Sequence, residues 1–205
     1  MTAAAYKGDS AYIDRHILGL PYEVTVYDSP TGKIVSTEIY QYDWGGNDPC
    51  GDPYLAAQAP SVNYDAQGYP FWFVFGRGNL NGVMRFDCTD NTTAYDDSKA
   101  VWVQRSGYDM AGSVVWTKDP GAPAPPSNAV VPHRTTFSYA DSFSDTSKNG
   151  LNTLGYPTAV TDAEGYTATV KYDYTTGAPT ETNRPSGGGQ PVTYETHSLL
   201  YDWTA

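Results

Sequence analysis

The stretch GGNDPCGDP brings Asn47, Asp48 and Asp52 together, oxygen-bearing side chains of the kind that a hard cation such as calcium takes as ligands. Its spacing fits no EF-hand loop, and the competing expectation is an acidic loop in solvent. Carboxylates are the one abundant reactive group, and a glycosidase would need two of them flanking a sugar bond. Most of the Asp residues are accounted for by positions in turns, so no catalytic pair stands out and the chain is expected not to be an enzyme. His16, His133 and His197 lie far apart, none within a nucleophile motif; they read as solvated loop or strand-face residues. PSGGGQP carries no Lys and has no following helix to lend its amides to a phosphate, so it reads as a linker. No cofactor is implied. Cys50 and Cys88 lack the close pairing of zinc ligands; a single disulfide and two reduced thiols both remain open.

Tryptophans 44, 72, 102, 116 and 203 could form the stacking platform of a sugar-binding module. Sheet packing is the competing account. It suits Trp72, inside the apolar run 71–75, and Trp102 and Trp116, inside alternating segments. Trp44 opens a loop and is the one that packing explains least.

The Asp residues carry a stronger pattern. Tyr-Asp occurs seven times, at Tyr27, Tyr42, Tyr64, Tyr95, Tyr108, Tyr172 and Tyr201, whereas random placement of 18 Tyr and 18 Asp predicts about one and a half. The dipeptide is therefore a repeat signal. In four copies a Gly follows closely: Tyr27-Asp28 with Gly32, Tyr64-Asp65 with Gly68, Tyr108-Asp109 with Gly112, and Tyr172-Asp173 with Gly177. Asp162 with Gly165 repeats the arrangement without the Tyr. Such a cassette suits a strand end, where Tyr packs its ring on a sheet, Asp caps the turn through its side-chain oxygen, and Gly takes the positive φ that reverses the chain.

Turn cassettes need strands between them, and the composition supplies these. Tyr is abundant while Glu, Lys and Leu are scarce, which favours strands over helices. YEVTVYD alternates with period two, SPTG turns the chain, and KIVSTEIYQYD carries it back, a hairpin. Residues 62–76 read as strand, turn and strand, with 71–75 buried on both faces. Further strands are expected at 80–88, at 100–105, through Val114 to Trp116, in RTTFSYADSF, and from Val192. Residues 156–182 hold two turn cassettes joined by one strand. The fold class is thus all-β, successive antiparallel hairpins in a curved, repeat-like sheet with little or no helix. One domain spans 1–205, with long loops near 44–61 and 119–134 and a Gly-rich break near 185–191.

At VTDAEGYTATVKYDYTTG, residues 160–177, and YDMAGSVVWTKDPG, residues 108–121, the chain resembles the YD-repeat or Rhs proteins of bacteria. The likeness is weaker at 22–43 and 62–78 and absent from the two long loops. It implies a ribbon of hairpins spiralling into a shell that, in such proteins, encloses a toxic or effector domain of a secreted or surface-delivered polypeptide. Neither the motif that closes such shells nor a cargo domain is present, so the resemblance covers a segment of shell. Its partners would then be the remainder of its own polypeptide and an enclosed effector, and its place the exterior or surface of a bacterium.

Charge narrows the alternatives. At a net charge of -11, with 12 scattered basic residues, the chain lacks the cationic clusters that nucleic acid requires. No apolar run reaches the roughly 18 residues of a membrane span, and MTAAAYKGDSAY is no export signal; export would use a signal outside this stretch, or the chain begins within a longer protein. The rival reading is a secreted β-rich binding module for carbohydrate or a cell-surface partner.

Overall fold

The computed structural model describes residues 1–48, 51–55, 65, 67, 76–87, 100–119, 133–186 and 193–199. Among these, eleven strands form a single antiparallel sheet whose spatial order is the sequence order. They are β1 (Thr2–Tyr6), β2 (Pro21–Tyr27), β3 (Ile34–Tyr42), β4 (Leu80–Asp87), β5 (Ala100–Tyr108), β6 (Val114–Lys118), β7 (Arg134–Ser138), β8 (Ala159–Thr161), β9 (Thr167–Tyr172), β10 (Pro179–Ser186) and β11 (Thr193–Ser198). Each strand pairs with its predecessor, across short reversals between β2 and β3, β5 and β6, β8 and β9, and β9 and β10, and across longer connections elsewhere. β1 pairs with β2 and β11 with β10, and the two end strands do not meet, so the sheet is open. The all-β reading therefore holds. Helix is confined, among the described residues, to α1 (Ser10–Ile13) and a 3₁₀ turn, Thr146–Lys148.

Several boundaries differ from expectation. Thr2–Tyr6 forms an edge strand although the Ala-rich N-terminus carries little strand signal; its pairing with β2, closed by Met1 N–H donation to Tyr27 O, supplies the order that propensity does not. β5 continues past residue 105 to Tyr108. β10 runs through Arg184 and Pro185 to Ser186, so the first two residues of the expected Gly-rich break belong to a strand, and the others lie outside the described residues. The apolar run 71–75 with Trp72, the cassette residues Tyr64 and Gly68, Tyr95, Tyr201, Trp203, Cys50, Cys88 and the glycines of PSGGGQP lie outside the described residues.

The apolar centre lies over β4 to β6, where Val83, Phe86, Trp116 and the ring of Tyr54 are buried. Trp116 stands opposite Gly107 in the β5–β6 register, and its indole fills the space above that glycine. Trp102 does the same over Gly82. Glycine weakens a strand, and an aromatic neighbour restores the lost packing. Phe143 and Leu154 are also buried, and Phe143 meets Tyr174 edge-on at 5.2 Å. No described helix is long and apolar enough to cross a membrane.

Candidate functional site

The turn cassettes fall into two matched pairs. In Asp109-Met-Ala-Gly112 and Asp162-Ala-Glu-Gly165 the Asp N–H donates to the carbonyl four residues on, Ser113 or Tyr166, at 2.9 and 3.0 Å. The glycine N–H returns to the Asp carbonyl at 3.1 Å in both, and both glycines have φ of +88°. One carboxylate oxygen of each Asp takes two backbone N–H groups: those of Ala111 and Ser113 on Asp109 at 2.9 and 2.8 Å, and those of Glu164 and Tyr166 on Asp162 at 3.0 and 2.9 Å. This is a hairpin whose last loop residue is left-handed, a conformation that glycine adopts at least cost.

Asp28-Ser-Pro-Thr-Gly32 and Asp173-Tyr-Thr-Thr-Gly177 are one residue longer and match each other. Gly32 and Gly177 sit at φ +68° and +71°, and the Asp N–H donates to Lys33 O or Ala178 O, each at 2.8 Å. In both, the threonine before the glycine donates its hydroxyl to the Asp carboxylate, at 2.7 and 2.9 Å, and accepts the N–H of the residue after the glycine at 3.3 Å. Asp173 also takes the Thr175 and Thr176 N–H groups. At Asp28 the residue in Thr175's place is Pro30, which has no N–H to give.

Asp65 accepts the Gln67 N–H at 3.2 Å, as Asp109, Asp162 and Asp173 accept the N–H two residues on. No protein-family model matches the chain, and no curated protein matches it.

The tyrosines before the caps anchor the cassettes to their surroundings. Tyr108 donates its hydroxyl to Leu80 O at 2.9 Å, and Tyr172 donates to Pro157 O at 3.0 Å while stacking on Tyr156 at 4.7 Å. Tyr27 closes β2 against Ile34. Environment separates caps of the same design. Burial pushes the Asp109 carboxyl upward against the pull of its N–H donors, and its Oδ2 has no hydrogen-bond partner among the described residues. Donation from Thr176 holds the exposed Asp173 carboxyl below the usual range.

Tyr42-Asp43 departs from the cassette. Asp43, itself at φ +52°, closes no hairpin; its carboxylate collects the N–H groups of Arg77, Gly78 and Asn79 at 2.8, 2.8 and 2.9 Å. It thereby ties the end of β3 to the approach of β4, and it raises the neighbouring Tyr12 hydroxyl, whose own burial is the larger cause.

The acidic stretch, described at 44–48 and 51–55, is the main departure from expectation, since it is not a solvated acidic loop. It folds back over β5 and β6 as a strap, held by Tyr54 N–H to Gly46 O, Tyr108 N–H to Tyr54 O, and Trp116 Nε1–H to Pro53 O at 2.9 Å. Within it the Asp48 N–H donates to Asp52 O and the Asp52 N–H to Asp48 Oδ1, a turn that aims both carboxylates at the sheet. There Lys118 Nζ lies 2.6 Å from Asp48 Oδ2 and 2.6 Å from Asp52 Oδ2, while Arg105 Nη1 reaches Asp48 Oδ2 and Arg134 Nη1 reaches Asp52 Oδ1, each at 3.2 Å. Lys118 and Asp48 are fully enclosed. The carboxylates of Asp48 and Asp52, weighed as calcium ligands beside the acidic-loop reading, thus hold the protein's own cations. Nothing in the spacing of Lys118 or Arg105 from Asp48 signalled this, because the partners come from strands the strap reaches only after folding. Among the described residues no group of three or more His, Cys, Asp or Glu is placed for a metal ion.

Beside the strap a groove of about 540 Å³ is lined by Pro53, Trp116, Arg134, Phe137, Asn152 and Leu154, among others. Asn152 and Leu154 both have left-handed backbones, at φ +59° and +49°, an uncommon state for Leu that surrounding structure must hold in place. The three histidines are exposed, His16 and His133 in loops and His197 on β11. Trp116 is buried, as packing requires, and Trp44 is 49% exposed.

Proposed function

We propose that the chain is a structural, non-catalytic segment of a YD-repeat shell, part of a large secreted or surface-delivered bacterial protein in which it helps to enclose an effector domain. The observation that carries this reading is the matched geometry of the turn cassettes at Asp28 and Asp173, and at Asp109 and Asp162, along a sheet whose order follows the sequence. Repetition of one reversal unit is how a sheet is extended strand by strand, each unit contacting its neighbours. β1 and β11 end the described sheet with their outer edges unpaired, and an open edge invites further strands. Tyrosine, phenylalanine and tryptophan side chains would fill the space between neighbouring hairpins, and the remainder of the polypeptide would continue the wall.

Size-exclusion chromatography with light scattering tests this directly. A wall segment with open edges is expected to self-associate with rising concentration; a clean monomer with a sharp thermal transition argues for a self-sufficient module instead. Further Tyr-Asp-x-x-Gly units in the flanking reading frame would support the wall.

A second reading, a module that recognises carbohydrate, is favoured by the groove at Trp116 and Leu154 and by the exposure of Trp44. Glycan-array binding that Trp44→Ala abolishes would establish it.

A further inference from the structure

We infer that Lys118 and Asp48 condense into an intramolecular amide, with Asp52 carrying the proton, so that the strap is bonded covalently to β6. The geometry of this one cluster carries the step, whether or not the chain belongs to a shell.

An amine and a carboxylate in water remain separate ions, because both are well hydrated and water is in vast excess over either. Neither condition holds here. The Lys118 and Asp48 side chains are fully enclosed, with Nζ 2.6 Å from Oδ2. Trp116 closes one side, its ring centroid 5.1 Å from Nζ, and the Tyr54 ring lies 5.7 Å from that of Trp116. Two groups fixed in contact react as one molecule, and effective concentrations for such pairs far exceed any reached in solution. Lysine is an established nucleophile once its proton is removed and the surroundings are desolvated.

The remaining requirements are met by groups already in place. The carboxylate of Asp52, also 2.6 Å from Nζ, accepts one proton from the ammonium. The freed amine attacks Cγ of Asp48, forming the Nζ–Cγ bond. Asp48 Oδ1 stays as the amide oxygen, held through the addition step by the Asp52 N–H at 2.9 Å. Oδ2 departs: the Cγ–Oδ2 bond breaks, and the oxygen takes the proton carried by Asp52 and a second from the attacking nitrogen, leaving as water. One ammonium and one carboxylate become one amide and one water, with no oxidant or co-reactant. Asp52 ends as it began, still paired with Arg134 Nη1.

Two carboxylates and three cations meet in this cluster among the described residues. Condensation removes one charge of each sign from a site where each buried ion carries a desolvation penalty. It also closes a loop between residues 70 apart, constraining the unfolded chain as any cross-link does.

Mass spectrometry of the full chain, reduced and denatured, tests for the bond. The expected mass is lower than that of the sequence by one water, and digestion should release a branched peptide joining the segments around Asp48 and Lys118. Asp52→Asn is expected to restore the full mass, because an amide cannot take the proton, and Lys118→Arg to do the same. A wild-type mass equal to that of the sequence, with Lys118 recovered in a linear peptide, overturns the inference and leaves the cluster as an ion-pair network. A loss of water that maps to any other residue, a succinimide included, overturns it equally. If the variants fail to fold, the wild-type mass and its peptide map still distinguish the amide from the ion pair.

Discussion

The indole of Trp116 lies across Gly107, its partner in the β5–β6 register, and a Cβ on Gly107 would run into Nε1 and the ring carbons beside it. That nitrogen donates to Pro53 O, so the glycine, the tryptophan and the strap are one packing unit. Gly107→Ala is expected to cost about 1 to 3 kcal/mol, as overpacking in a rigid interior does. Gly155→Ala, where the nearest atom to an added Cβ is 3.9 Å away, should be close to neutral. Urea midpoints of the two variants make the comparison; equal midpoints would refute the Trp116 contact.

Turn glycines should separate by their surroundings as well as by φ. Gly165→Val forces a branched residue into a left-handed backbone with open space around it, a loss on the order of 1 to 3 kcal/mol. Gly177→Val adds a collision with the Tyr156 hydroxyl and should lose more. Gly8→Val, in open space without positive φ, is the control, and thermal denaturation of all three ranks them.

Acid titration should distinguish two caps of similar design. Burial raises the Asp109 carboxyl, so this group contributes stability below its unfolded-state value that is lost as pH rises through its folded value. Hydrogen bonds from Thr176 lower Asp173, whose contribution is present above its unfolded-state value and lost as pH falls through its folded one. As pH is lowered, the amide resonances of Ala111 and Ser113 should therefore shift before those of Thr175 and Thr176. The opposite order would contradict the burial of Asp109.

Buried and exposed ion pairs should differ in worth and in salt response. Asp48→Ala removes the group that Arg105 and Lys118 share in the interior, whether held as an ion pair or as an amide, and is expected to cost on the order of 3 to 5 kcal/mol. Arg85→Met breaks the pair with Glu38 on the sheet surface and should cost about 0 to 1 kcal/mol. Only the second loss should shrink in high salt, since mobile ions screen exposed charges. Chemical denaturation of both variants at low and high ionic strength makes the comparison.

Much of the sheet was legible because its signals are local. Alternation marked β2 and β3, and the stretch 156–182 resolved into β8, β9 and β10 with two reversals between them, as its two cassettes require. The left-handed glycines at 32, 112, 165 and 177 follow from Asp and Gly spacing alone. β1 escaped notice because three alanines carry no strand signal and its order comes from a partner strand.

The buried charge cluster was illegible for a different reason. Asp48 looked like a solvent-facing acid in a loop rich in Gly and Pro, and its cations, Arg105 and Lys118, lie 57 and 70 residues away on strands. By itself the sequence determined where the chain reverses and which residues cap each reversal, because those interactions close within a few peptide units. Tertiary structure alone decided that the strap turns inward and which charges meet beneath it. Burial makes an unpaired ion costly, and the pairing that relieves this cost comes into being only when distant strands are brought together.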